Sequence, residues 1–197
     1  MIIGIVNYGL GNIRSIKNAL SEYKVILVDN EESLLTVDVL ILPGVGAFGF
    51  AMENLRSLGL VDAIRGFAKS GKRLIGICLG MQLLYESSFE HGEFEGLGIL
   101  KGKVIELPNT EVIPHMGWNR LTVAQPSEGL YTNQYMYFVH SYYVVEEDEN
   151  QIVASTFYGA KIPAIVKKDN IIGFQGHPEK SGNEGQQWLK MAVEGKL

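Results

Sequence analysis

The segment Lys72-Arg73-Leu74-Ile75-Gly76-Ile77-Cys78-Leu79-Gly80-Met81 sets the frame for reading the chain. Leu74 to Ile77 is a short apolar run without polar alternation, the pattern of a strand buried on both faces. A helix then starts close to Gly80. Upstream, the same pairing of β-branched run and amphipathic stretch recurs. Ile2 to Val6 is a strand candidate, followed by the turn Asn7-Tyr8-Gly9-Leu10-Gly11. Asn12 can cap a helix whose apolar positions Ile13, Ile16 and Leu20 are spaced three and four apart. Val25 to Val28 and Asp38 to Leu42 read as further strands, the second stopped by Pro43-Gly44. Leu55, Leu58, Val61, Ile64, Phe67 and Ala68 give helical spacing that ends near Gly71. This βαβ order predicts an α/β fold with a mostly parallel central sheet flanked by helices.

Downstream the character changes. Leu97 to Leu107, Tyr137 to Val145, Gln151 to Phe157, Ile162 to Val166 and Ile171 to Phe174 are strand-like, with few helical signals between them. They predict additional antiparallel strands in the second half. The acidic run Glu146-Glu147-Asp148-Glu149-Asn150 reads as a solvated hairpin tip. A last helix is expected over Glu184 to Val193, with Trp188, Leu189, Ala192 and Val193 facing inward. Residues 108 to 135 carry no clear element signal. There are no repeats, low-complexity tracts or linkers, so residues 1–197 read as a single domain.

Composition narrows the function class. Of 197 residues, 46% are hydrophobic and 20% charged, enough for a substantial core. Net charge is -5 with no basic cluster, which argues against nucleic-acid binding and gives no reason for an anionic membrane surface. No apolar run approaches the roughly 20 residues of a membrane span, and the N-terminal Met1-Ile2-Ile3-Gly4 lacks the charged start of a signal peptide. The single cysteine permits neither an intrachain disulfide nor a four-cysteine zinc site. A cytoplasmic enzyme or enzyme subunit fits these observations.

The sharpest chemical signal is Gly76-Ile77-Cys78-Leu79-Gly80. A nucleophile on a tight strand-to-helix turn needs small residues two positions either side, as in the Gly-x-Ser-x-Gly elbow. The first amides of the following helix then face the thiol, favouring the thiolate and offering oxyanion donors. A buried packing cysteine between two glycines is the plainer alternative. His177-Pro178-Glu179 is the natural partner, because residues two apart in extended chain point to one side and proline holds His177 extended. The carboxylate can then set the imidazole tautomer, as in a catalytic triad. A lone His-Pro-Glu is usually a surface turn, and the elbow cysteine in the same chain is what gives it weight. Pro43-Gly44-Val45-Gly46 follows a buried strand and can supply a second oxyanion donor or be a simple strand-ending turn. The other histidines, His91, His115 and His140, have no metal-pair spacing, and His140 reads as packed. Gly9 and Gly11 lack the third glycine of a dinucleotide loop.

Taken together, Pro43-Gly44-Val45-Gly46, Gly76-Ile77-Cys78-Leu79-Gly80-Met81-Gln82 and His177-Pro178-Glu179 resemble a class I glutamine amidotransferase, a family with a flavodoxin-like fold. Narrower motifs resemble the glutaminase-subunit family of imidazole glycerol phosphate synthases. These are Asn7-Tyr8-Gly9 with Gly11-Asn12, Pro43-Gly44-Val45-Gly46-Ala47-Phe48, Pro114-His115-Met116-Gly117-Trp118-Asn119, Tyr137-Phe138-Val139-His140-Ser141-Tyr142 and His177-Pro178-Glu179-Lys180-Ser181-Gly182. The resemblance implies that Cys78 attacks the glutamine amide, His177 shuttles the proton and Glu179 orients His177. It implies an oxyanion hole from Val45 or Gly46 with Leu79, and glutamine held by Gln82, Glu90 and backbone near His140 and Ser141. It further implies a heterodimer with a (β/α)8 cyclase subunit docked near Asn12, Trp118, Tyr137 and Lys180. Ammonia would pass to that subunit, which forms imidazole glycerol phosphate and an aminoimidazole carboxamide ribotide. No cofactor and no metal are implied. Two positions depart from the family, Gly176 where an aromatic is usual and Phe50 where an acid is common. They leave room for a paralogue serving a surface-sugar amidotransferase, while the narrower motifs argue against the glutaminase of pyridoxal phosphate synthesis.

Overall fold

In the computed structural model, which describes residues 1–126 and 129–197, the first half of the chain alternates strand and helix. The elements are β1 (Ile2–Val6), α1 (Ile13–Ala19), β2 (Lys24–Val28), α2 (Glu31–Leu35), β3 (Val39–Leu42), α3 (Phe48–Ser57), α4 (Leu60–Lys69), β4 (Arg73–Ile77) and α5 (Leu79–Leu83). The helical spacing from Leu55 to Ala68 belongs to two helices, because Gly59 at φ +68° breaks the run. Helix α2, capped by Asn30, was not expected.

The second half contributes β5 (Ser87–Ser88), β6 (Phe94–Glu95), β7 (Gly102–Glu106), β8 (His115–Arg120), β9 (Thr122–Val123), β10 (Tyr135–His140), β11 (Tyr142–Glu146), β12 (Ile152–Tyr158), β13 (Ala160–Lys168), β14 (Ile171–Phe174) and α6 (Gly182–Glu194). The expected strand from Tyr137 to Val145 is two strands that part at Ser141, since β10 pairs β8 while β11 pairs β7. The expected strand from Leu97 to Leu107 is confined to β7, the residues before it forming an irregular loop against α5. The acidic run is exposed at residues 147–150 but is no hairpin tip. It carries the chain from β11 in one sheet to β12 in another.

The central sheet has the order β2-β1-β3-β4-β14-β13-β12-β9. Its first five strands are parallel and the rest antiparallel. Counting β14 as the fifth, this is the 2-1-3-4-5 order of flavodoxin-like folds. Alternate residues of the central strands feed opposite cores, as the two-residue pleat requires. Val6, Leu40, Leu42 and Leu74 join α2, α3 and α4 through Leu34, Met52 and Ile64. Ile3, Ile5, Ile41 and Ile75 join α1 and α6 through Ile16, Trp188 and Leu189. A four-stranded sheet β11-β7-β5-β6 and the ribbon β10-β8 complete the fold.

In such sheets ligands bind beyond the carboxyl ends of the strands. Register places Leu42 of β3 opposite Gly76 of β4, and Ile77 of β4 opposite Phe174 of β14. Pro43, Cys78 and the Gln175–His177 segment therefore leave three neighbouring strands at one edge.

Candidate active site

Cys78 leaves β4 at φ +55°, ψ −114°, a conformation L-residues rarely adopt. Its amide donates to the Phe174 carbonyl at 2.7 Å, which fixes the turn against β14. The flanking glycines have the tightness the elbow reading requires. A Cβ on Gly76 would lie 2.7 Å from the Met81 backbone, and one on Gly80 would lie 1.8 Å from the Leu42 carbonyl oxygen. The elbow is thus wedged between β3 and its own helix, and any side chain at either glycine displaces it. Helix α5 is only five residues long, so its contribution to the thiol is confined to the first amides.

His177 and Glu179 are both buried, and His177 Nδ1 lies 2.8 Å from Glu179 Oε1. Proline at 178 and a single helical turn over Pro178–Lys180 hold the two side chains together. Two bonds tie this segment to β10 and a third braces it internally. The His177 amide donates to the Tyr137 carbonyl, the Tyr137 amide donates to Ser181 Oγ, and Ser181 Oγ donates to the His177 carbonyl. Burial pushes the His177 imidazolium down, but the hydrogen bond to Glu179 and the charges of Cys78 and Glu179 push it further up. The net effect holds the ring above its usual range. Nε2 has no hydrogen-bond partner among the described residues, and the Cys78 thiol lies 3.8 Å from the Val139 carbonyl.

A cleft of about 330 Å³ opens over Cys78. Its walls include Val45, Gly46, Leu79, Gln82 and Glu90 on one side and Val139, His140, Ser141 and Tyr142 on the other. Every oxyanion and substrate residue expected from the sequence thus lines the same cleft as Cys78. His177 and Glu179 are not in the lining but buried behind it. Glu90 is held by the first amide of α3, since Phe48 N–H donates to Oε2 at 2.7 Å. Gln82 Nε2 donates to the Tyr142 carbonyl at 2.8 Å and to Gln175 Oε1 at 3.1 Å.

The second wall rests on a chain of hydrogen bonds that sequence reasoning missed. Asn119 Nδ2 donates to His115 Nε2 at 3.2 Å, leaving His115 Nδ1–H to donate to His140 Nε2 at 3.0 Å. His140 Nδ1–H then donates to the Tyr142 carbonyl at 2.9 Å. This order of donors requires both rings to be neutral. Burial pushes His115 down to about 4, and burial with the charges of His115 and His177 pushes His140 down to about 3. His115 is also stacked between Phe138 and Tyr158. The pairing was hidden because the two histidines are twenty-five residues apart and meet only through the register of β8 with β10.

The expected docking residues lie around the same edge. Trp118 and Tyr137 are register partners on the outer face of the β10-β8 ribbon, their rings 6.0 Å apart and edge to face. Met116, Trp118 and Tyr135 on that face are more than half exposed. Lys180 is exposed on the turn after His177, and that turn packs against both β10 and α1, which Asn12 caps. Of the two departures, Phe50 is exposed on α3 and does not line the cleft. At Gly176 the Met136 side chain takes the space a side chain would need, its sulfur 2.5 Å from where a Cβ would lie. Among the described residues no cluster of three or more His, Cys, Asp or Glu could hold a metal.

The sequence profile of "Glutamine amidotransferase class-I" matches residues 4–194. This chain belongs to that family. The imidazole glycerol phosphate synthase subunit HisH of Aquifex aeolicus is 48% identical over 192 residues, covering 94% of this chain and 93% of that protein. The subunit of the same name from Methanocaldococcus jannaschii is 47% identical, covering 98% and 99%. Among solved structures, a glutamine amidotransferase superposes with a TM-score of 0.79 at 22% identity, covering 99% of this chain and all of that one. That likeness establishes the fold, while the amidotransferase family accounts for the elbow.

Proposed function

We propose that this chain is the glutaminase subunit of an imidazole glycerol phosphate synthase. The observation that carries the reading is the convergence of Cys78, the His177–Glu179 pair and the Val45–Gly46 loop at the carboxyl ends of three adjacent strands. The Cys78 sulfur attacks the side-chain carbonyl carbon of L-glutamine. The oxyanion that forms is met by the amides of Leu79 and of Val45 or Gly46. The C–N bond then breaks, and His177 gives the leaving nitrogen its proton. Water, with His177 as base, hydrolyses the thioester to glutamate and restores the thiol. Glu179 holds the imidazole in the required tautomer throughout. Gln82, Glu90 and the backbone of His140 and Ser141 hold the amino-acid end of glutamine.

Ammonia released in bulk water at neutral pH becomes ammonium, which is not a nucleophile. A partner that receives it directly makes chemical sense, and the exposed ribbon face with Trp118 and Tyr137, rimmed by Asn12 and Lys180, is where a (β/α)8 cyclase subunit would sit as heterodimer partner. No helix among the described residues is long and apolar enough to cross a membrane, and we place the subunit in the cytoplasm.

The test is glutamine hydrolysis by the full chain, alone and with a cyclase subunit and its nucleotide ligand. Hydrolysis that rises on adding the partner, together with formation of imidazole glycerol phosphate, supports the reading. Hydrolysis without any response to that partner assigns the chain to a different ammonia acceptor. Absence of hydrolysis in both settings overturns it.

A further inference from the structure

Tyr8 stands just past the carboxyl end of β1, beside β3, in the Asn7-Tyr8-Gly9 turn. Its ring is buried, and its hydroxyl donates to the Pro43 carbonyl at 2.5 Å. Its own carbonyl accepts from Asn54 Nδ2 of α3 at 2.9 Å, so the residue is tethered at both ends. Burial and the nearby Cys78 push the phenol far above its ordinary value, so it stays a donor.

The loop it touches is packed unevenly. A Cβ on Gly44 would lie 2.8 Å from the Tyr8 hydroxyl oxygen, 2.7 Å from Leu79 Cβ and 2.8 Å from the Gly80 amide nitrogen. The Pro43 ring is abutted by Gly11, where a Cβ would lie 2.8 Å from it. Two residues later the packing ends. Val45 is 40% exposed, and Gly46, at φ +108°, has Leu10 Cδ2 at 3.8 Å as its nearest neighbour from where a Cβ would stand. The first half of the loop is boxed in, and the second half borders the open cleft over Cys78.

We infer that Tyr8 is a positioning residue for amide hydrolysis, its hydroxyl locking the Pro43 carbonyl so that reorientation of the oxyanion loop is confined to the Val45–Gly46 pair. The inference rests on the proposed glutaminase reading and adds a residue that never touches substrate. Without the hydroxyl, the buried Pro43 carbonyl has no partner there and the first half of the loop can drift. An oxyanion donor acts only when held within a few tenths of an ångström of its position.

Tyr8→Phe removes one oxygen and keeps the ring. Three quantities separate positioning from general damage: kcat and KM for glutamine, the rate of Cys78 alkylation by iodoacetamide, and the melting temperature. Alkylation is a displacement that needs the thiolate but forms no oxyanion. The expected result is a kcat roughly ten-fold lower, a fraction of the effect of losing one oxyanion donor, with KM and the alkylation rate unchanged within about two-fold. An unchanged kcat overturns the inference. So does a parallel loss of alkylation and hydrolysis, or a raised KM at constant kcat. In each of these cases wild-type hydrolysis still supports the glutaminase reading, which fails only if the wild-type chain does not hydrolyse glutamine.

Discussion

Residues 1–86 and 87–197 divide the chemistry between them. The first part is regular βα alternation and holds the only thiol; the second part is spread over three sheets and holds all four histidines. The proposed nucleophile is placed locally, by a turn whose glycines and strand are contiguous in sequence. The proposed base is placed at long range, by β14 inserting beside β4 and by β10 gripping the His177–Ser181 segment. A local device tolerates change elsewhere, whereas a long-range one depends on every sheet that frames it.

Removing the local half should have the largest effect. Cys78→Ala should leave no measurable glutamine hydrolysis, a loss of at least about 10⁴-fold, while ammonia added directly still supports the assembled synthase. Turnover near wild type in that variant sinks the mechanism. Breaking the long-range half should be graded. His177→Ala should cost roughly 10³-fold or more in kcat, and Glu179→Gln about 10²-fold, because the amide still bonds but no longer stabilises the imidazolium. Equal and negligible losses in both would reduce the pair to a structural turn.

The ribbon tests the second half from outside. Trp118→Ala should weaken binding of the cyclase subunit by about 2 kcal/mol, roughly thirty-fold in Kd, with little change in the unstimulated rate. Calorimetric titration giving wild-type affinity would place the docking face elsewhere. Acid sharpens the contrast without any substitution. His115 and His140 are pushed down in the fold, so below about pH 6.5 the unfolded chain binds protons that the folded chain refuses. Their contribution is complete above that pH and is lost as pH falls toward 4, at up to about 1.4 kcal/mol per pH unit for fully buried His140. His177, raised in the fold to about 10, acts in a different window: its contribution is full below about pH 6.5 and is lost as pH rises toward 10, so it leaves the acid-side loss unchanged. Hydrogen exchange at pH 5 should therefore open amides of β8 and β10 before those of β1 and β3. Uniform opening of both halves would contradict the division.

The same division explains what could be read in advance. Strands β1, β3 and β4 are covered on both faces, so they appear as unbroken apolar runs, and the elbow glycines announce themselves at fixed offsets. The alternation from Tyr137 to Val145 runs on through Ser141, so nothing local marks where the chain changes sheets; only pairing with β8 and β7 decides it. Acidic residues 146–149 reveal solvation but not which strands they join. The cleft residues Gln82, Glu90, His140 and Ser141 were legible through family resemblance alone. Tyr8 and Asn119 were quoted in motifs without a role, since a hydroxyl or an amide reveals its partner only in three dimensions.

The backbone at Cys78 has a last consequence. A residue with a side chain held at φ +55°, ψ −114° raises the energy of the folded state by about 1–3 kcal/mol, and glycine at that position would be relieved of most of it. A population of variants screened solely for survival of heating should therefore enrich Cys78→Gly, discarding the sulfur that the proposed mechanism requires. A screen for glutamine-dependent growth should purge the same change. Endurance and usefulness pull this single position in opposite directions, and comparing the two screens at codon 78 would measure how hard.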